Sequence, residues 1–273
     1  MTLSGNASPL TMFHVLLKHR ELLWGLVKRD FIGRYKGSML GIAWALFNPL
    51  LMLAIYTIVF SVAFKARWGS AEENHATFAI ILFSGMIIQN LFAECLNRAP
   101  SLILVHANYV KKVIFPIEIL PWVVLFSALM HFVVSFFVLV LFCLLIKMPI
   151  YWGVLYLPII LLPLVLILMG CSWAFSALGV YLRDLPQIVT VLTTISLFLA
   201  PIFYPMEALP KLFQAFITWN PVTLPVIEIR DVMLWGKPID WFDWSVSFAI
   251  SLGVCFIGFW LFQKTRRGFA DVL

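Results

Sequence analysis

Residues 119–146 read ILPWVVLFSALMHFVVSFFVLVLFCLLI, a run without a single Asp, Glu, Lys or Arg. The hydrocarbon core of a bilayer takes about 20 apolar residues per helix, so this run is long enough to cross it. It has no strand-like alternation. In lipid a spanning segment must satisfy its backbone polar groups internally, so it reads as a helix. Five further apolar runs flank it: Leu40–Phe64, Phe78–Leu96, Trp152–Tyr181, Ile188–Tyr204 and Trp244–Phe262. Ile188–Tyr204 is the shortest and ends between Pro201 and Pro205. The expectation is an all-α membrane protein with six transmembrane helices, one membrane domain over residues 1–273.

Composition agrees. Apolar residues make up 63% of the chain and charged residues 12%, against about 25% charged in soluble domains. The first 36 residues are polar and basic with no early apolar stretch, so no secretory signal is expected there. Placing the N-terminus in the cytoplasm puts thirteen of the 19 Lys and Arg residues on that side. The positive-inside bias therefore predicts both termini cytoplasmic, which an even number of spans allows.

The segments between the runs carry the remaining signals. Ser8-Pro9 suits a helix start, and Phe13, Leu17, Trp24, Val27 and Phe31 recur at near-helical spacing among Lys18, Arg20, Lys28 and Arg29. Residues 8–36 thus read as a basic amphipathic helix lying in the headgroup layer. Gly33, Gly37 and Gly41 fall four apart, which fits either close helix approach or a turn into the first span. Asn48-Pro49 should bend that span. The connection Asn97–Pro116 holds a short amphipathic stretch, Leu102–Val113, able to dock on a soluble partner or on anionic lipid. Residues 205–243 are moderately apolar but broken by five prolines. They read as an outer re-entrant helical hairpin, tolerated at that depth only where protein or a cavity surrounds it.

Several chemistries are excluded or disfavoured. No G-x-x-x-x-G-K-[ST] occurs, so the chain cannot cradle ATP by a P-loop. Cys95, Cys143, Cys171 and Cys255 lie in spans and read as small buried apolar residues. The histidines show no ligand spacing, and no metal, catalytic residue or nucleic-acid partner is expected. A secondary transporter needs mid-membrane acids. Glu94 stands one turn from Arg98 and is expected to pair with it; His131 alone makes no relay. A membrane enzyme acting on lipid-linked sugar would need acids near a headgroup. Its candidates are Asp240, Asp243, Glu72 and Glu73, which also read as interfacial residues beside Trp.

Val27-Lys28-Arg29-Asp30-Phe31, Arg34-Tyr35-Lys36-Gly37-Ser38, Leu40-Gly41, Trp44 and Asn48-Pro49 together resemble the N-terminal signature of ABC-2 type permeases that export polysaccharides. Phe115–Pro121, Tyr181–Leu185, Pro201–Pro205 and Asn220-Pro221 follow in the matching order. The resemblance covers nearly the whole chain. It implies a homodimer paired with two copies of a separate ATP-binding subunit. ATP and Mg would sit there, and no cofactor on this chain. The implied cargo is a polyprenyl-linked polysaccharide crossing the bacterial inner membrane among membrane lipid, O-antigen first, with capsule or teichoic acid as alternatives. The family's surface helix maps to about Phe13–Phe31, and its outer re-entrant helices to within Met206–Leu234. Its coupling helix maps to Leu102–Val113, with Leu102, His106, Tyr109, Lys111 and Lys112 as the contacts expected with the ATPase. On that basis the first and fifth spans would wall a conduit, offering Tyr56, Phe60, Phe64, Phe198, Phe203 and Tyr204 to sugar C–H faces. Arg29, Arg34 and Lys36 would receive a lipid pyrophosphate at the inner mouth.

Overall fold

The computed structural model describes residues 15–59, 75–110 and 115–272. All regular structure among them is helical. In order these are α1 (Arg20–Gly33), α2 (Trp44–Tyr56), α3 (His75–Arg98), two short helices α4 (Leu102–Val105) and α5 (Ala107–Val110), α6 (Leu120–Leu145), α7 (Leu157–Leu178), α8 (Leu185–Leu199), α9 (Lys211–Thr218), α10 (Thr223–Met233), α11 (Trp241–Thr265) and α12 (Phe269–Val272).

Among the described residues five helical segments are long and apolar enough to cross a membrane: Gly41–Val59, Ala76–Arg98, Ile117–Leu145, Trp152–Leu178 and Trp241–Gly268. The expected fifth run is shorter than read. Its helix, α8, ends at Leu199 after 15 residues, about 22 Å at 1.5 Å per residue, less than the roughly 30 Å apolar thickness of a bilayer. The cause is Pro201. A residue before proline is pushed out of the helical region, and Ala200 is extended at φ −72°, ψ 145°. Pro49, by contrast, lies within α2, which continues past it to Tyr56.

α3 is the centre of the bundle. It packs against α2, α6, α7, α8 and α10, and 78% of its most apolar window is buried, against 11% for the first span. Leu46, Phe47, Leu50 and Leu51 on α2 and Ile188, Val191, Leu192 and Ile195 on α8 are left exposed by this single chain. α8 is pinned to α3 by polar contacts: Gln89 Nε2 donates to the Thr193 carbonyl (2.9 Å), and the Thr193 hydroxyl to Asn97 Oδ1 (3.0 Å).

The most extensive helix pair is α7 with α11. Two glycines make it possible. A methyl group on Gly170 would lie 2.5 Å from the Val254 carbonyl oxygen and 2.7 Å from Cys255 Cα, and one on Gly258 would strike the Gly170 backbone. Helices in lipid attract chiefly by such close packing. Gly37 and Gly41 serve differently. Their φ values are +90° and +53°, and nothing lies within 4 Å of a Cβ built on either or on Gly33. They make the turn into α2, and no helix among the described residues of this chain approaches them.

The connections sort to two ends of the bundle. At one, the backbone at Gly179 meets the Pro100 carbonyl, and the Glu118 carboxylate receives Arg266 and, at 3.2 Å, Gln263 of α11. α1 lies on this side, burying Leu23, Val27 and Phe31 against α6. At the other end lie the start of α7, the break after α8, α9, α10 and the start of α11. There Asn220 and Ser196 bond reciprocally (2.9 and 2.8 Å), and Asp240 caps α11 by accepting from the Phe242 and Asp243 amides. Asp240 is thus a helix cap.

Gly258→Leu should weaken the α7–α11 contact by about 3 kcal/mol, at the upper end for overpacking because backbone cannot yield. Gly253→Ala on the same helix, with nothing within 4 Å, should be neutral. Melting temperatures of the purified proteins check this.

Candidate functional site

Three elements far apart in sequence meet where α1 crosses the end of α3. Asp30 accepts from both terminal nitrogens of Arg98, at 2.6 and 3.0 Å. Arg34, one turn after Asp30, donates to the Glu94 carboxylate of α3 and lies 3.6 Å from Asp30. It also reaches His131 Nδ1 on α6 at 3.1 Å. The Tyr35 hydroxyl sits 2.9 Å from His131 Nε2, and Glu94 Oε2 lies 3.2 Å from His131 Nδ1. Glu94 therefore has closer partners than the expected Arg98, which stands 3.8 Å away, while Arg98 serves Asp30. Helix geometry allows the i,i+4 contact, but the docking of α1 offers each group a better aligned partner. Burial pushes the Asp30 carboxyl up, yet hydrogen bonds from Arg98 and Ser127 and the charges of Arg98 and Arg34 outweigh it and hold it below its ordinary value.

Beside this network is a cavity of about 580 Å³ whose walls include Arg29, Asp30, Arg34, Arg98, His106 and Tyr109. Two groups of residues that the sequence suggested for different tasks thus share one hollow. Arg29 and Lys36 are exposed, whereas Arg34 is engaged by two carboxylates. Leu102 is buried at 5% exposure and faces the core. His106 stacks on Tyr109 and Tyr109 on Phe115, with centroids 5.7 and 4.5 Å apart. The exposed side chains among those described on these short helices are Leu104, Val105 and Asn108, with Val105 at 75%. Sequence reading missed them because the segment is too short for periodicity to fix its face. Lys111 and Lys112 lie outside the described residues.

Among the aromatics, Phe198 and Phe203 pair at 6.2 Å, and the Tyr204 hydroxyl donates to the Phe198 carbonyl at 2.7 Å. The three therefore gather where α8 ends. Tyr56 is half-buried on α2. Both helices flank α3. Phe60 and Phe64, like Phe13, Glu72 and Glu73, lie outside the described residues.

The opposite end holds two buried charged residues that the sequence reading did not single out. Arg230 of α10 is 2% exposed. Its guanidinium donates to the carbonyls of Ile81, Pro201 and Ile202 and to the Ser84 hydroxyl, at 2.5–3.3 Å. A side chain on Gly85 would come within 2.8 Å of it. Glu228, 5% exposed, accepts the Asp240 amide at 3.2 Å through Oε1. Its Oε2 is buried without a hydrogen-bond partner among the described residues. Burial pushes this carboxyl up to about 7, with Asp231, Asp240 and Asp243 adding and the Asp240 amide opposing. Charges inside an otherwise apolar Thr223–Met233 were the available signal.

The model of the family described as ABC-2 type transporter matches residues 21–234, from α1 through α10. The chain belongs to the ABC-2 type transporter family. Among curated relatives, the O-antigen export system permease protein RfbA of Klebsiella pneumoniae is 26% identical over 93% of this chain and 95% of its own. The protein of that name in Myxococcus xanthus is 26% identical over 94% and 96%. The polysialic acid transport protein KpsM of Escherichia coli is 22% identical over 89% and 92%. The alignment with these permeases, named for O-antigen export and polysialic acid transport, runs over about nine-tenths of this chain and of theirs.

Asp30→Asn and Arg98→Gln should each cost about 1–2 kcal/mol, between the values for exposed and fully buried pairs, and the double variant scarcely more than either. Melting temperatures of the four proteins test this. Glu228 titrates the other way. Its folded value of about 7 exceeds the usual 4.5, so the folded state holds the proton more tightly and stability should fall as pH rises from about 4.5 to 7. Glu228→Gln should remove that slope from a pH series of melting temperatures.

Proposed function

We propose that this chain is the membrane subunit of an ATP-driven exporter that moves lipid-linked polysaccharide, O-antigen foremost, across the bacterial inner membrane. The observation that carries the reading is the likeness to two O-antigen export permeases over more than nine-tenths of the chain. The relative named for polysialic acid is more distant, at 22% identity, which ranks capsule-type cargo second and teichoic acid behind it.

In this reading the chain works as a homodimer with two copies of a separate ATP-binding subunit, both termini cytoplasmic. α1 lies in the inner headgroup layer. α9 and α10 form the outer re-entrant hairpin, and α8 together with Ala200–Tyr204 completes a sixth crossing. The exposed apolar faces of α2 and α8 support a shared conduit between protomers, with Tyr56, Phe60, Phe64, Phe198, Phe203 and Tyr204 as its aromatic track. Arg29 and Lys36 receive the lipid pyrophosphate at the inner cavity, and Arg34 holds α1 in place beside them. The α4–α5 elbow, with Leu102, His106, Tyr109, Lys111 and Lys112, receives the push of the ATPase, and Val105 is its most outward contact. Because the elbow and α1 line one cavity, a displacement of the elbow reaches the cargo site through rigid neighbours.

Deleting the gene should abolish surface polysaccharide and leave intact lipid-linked polymer facing the cytoplasm. Restoring the wild-type chain should reverse both, and the Arg29→Gln, Lys36→Gln variant should export at most about a tenth as much at equal protein level. Unchanged surface polymer in the deletion strain would overturn the proposal, as would cargo movement by the purified chain driven by an ion gradient alone.

A further inference from the structure

A second cavity, of about 420 Å³, opens at the end of the bundle that holds α9 and α10; Glu207, Arg230, Asp231, Trp235 and Lys237 are among its walls. From it we infer a binding subsite for a neutral, hydroxyl-rich sugar unit. The inference rests on the reading of this chain as a polysaccharide exporter and adds a place where the chain is held on the far side. The volume falls in the range of about 300–1,000 Å³ typical of small-ligand sites.

The walls are built rather than loose. Arg230 is fixed by its carbonyl partners on α3 and at the break after α8. The arm that follows α10 folds back on it: the Trp235 amide donates to the Arg230 carbonyl at 3.2 Å and the Lys237 amide to the Asp231 carbonyl at 2.8 Å. Gly236 makes this turn with φ +64°, and a side chain there would lie 2.6 Å from the Tyr151 ring. Lys237 Nζ is held by Asp231 at 3.0 Å and stands 5.4 Å from the Trp235 ring centroid. Trp235 remains 37% exposed. The hollow therefore combines a part-exposed indole on an anchored backbone, acceptors on Glu207 and Asp231, and donors on Lys237.

That set selects its ligand. An indole offers an apolar face to sugar C–H groups, and carboxylates accept from hydroxyls. Two cations face two carboxylates, so the hollow has no excess positive charge with which to draw phosphate or an acidic sugar. Glu207, which is exposed, would repel either.

The test uses the complete transporter, this chain with its ATPase, in lipid nanodiscs. The probe is the host's own surface polysaccharide, released lipid-free by mild acid, and binding is read by saturation-transfer NMR. Wild type should saturate ring C–H protons. Trp235→Ala should lower affinity about five- to tenfold, Trp235→Phe should restore part of it, and Glu207→Gln should weaken binding about threefold. Wild-type affinity in Trp235→Ala at an unchanged melting temperature overturns the subsite. If Trp235→Ala does not accumulate, Glu207→Gln decides, and wild-type affinity there overturns it equally. Tighter binding of oligosialic acid than of a neutral oligosaccharide of equal length also overturns it. Surface export, scored in the deletion strain, is independent: a Trp235→Ala variant that exports and binds like wild type rejects the subsite and leaves the exporter reading standing.

Discussion

The most buried of the described spans is tied at each end by guanidinium groups, partly exposed at one end and fully buried at the other. At one end Asp30 takes Arg98 in a two-point grip, with Glu94 and Arg34 beside it. At the other, Arg230 gathers carbonyls from α3 and from the interrupted chain after α8. Taking a charge out of water is costly, and the cost is offset only when every donor finds an acceptor. Each arginine therefore commits the elements it touches to one arrangement. These contacts add directional bonds to the packing of α1 against α6 and of α10 against α3 and α7.

That arrangement divides the molecule. α7 and α11 are locked backbone to backbone at Gly170 and Gly258, and α3 fills the centre. α2 and α8 stand outside with apolar flanks uncovered. Lipid accepts such flanks readily, since between apolar surfaces in a bilayer there is little hydrophobic force to bring helices together. α8 buries Leu185 and Val189 in the core and adds a small set of amide and hydroxyl contacts, Gln89 to Thr193 and Ser196 to Asn220.

Much of the frame was legible in the sequence because lipid imposes simple rules. Long uncharged runs such as 119–146 had to be helices, and their positions follow closely. α8 came out shorter than its hydropathy suggested, because apolar content does not register the steric effect of Pro201 on Ala200. The site was legible only in pieces. Arg29, Arg34 and the 102–109 segment were singled out, but Asp30 and Arg98 lie 68 positions apart and Arg230 and Ile81 149 apart. Pairings at such distance leave no periodicity to read. Gly170 and Gly258 likewise look like ordinary glycines in apolar runs until the two helices are set side by side.

The Gly170–Gly258 crossing also bears on how the protein is made. α11 leaves the ribosome after every other span described here, yet it completes the largest helix contact among the described residues. Until it inserts, the groove along α7 faces acyl chains, and the carboxylate of Glu118 lacks Arg266. A chain cut short before α11 would therefore present that open groove to membrane quality control.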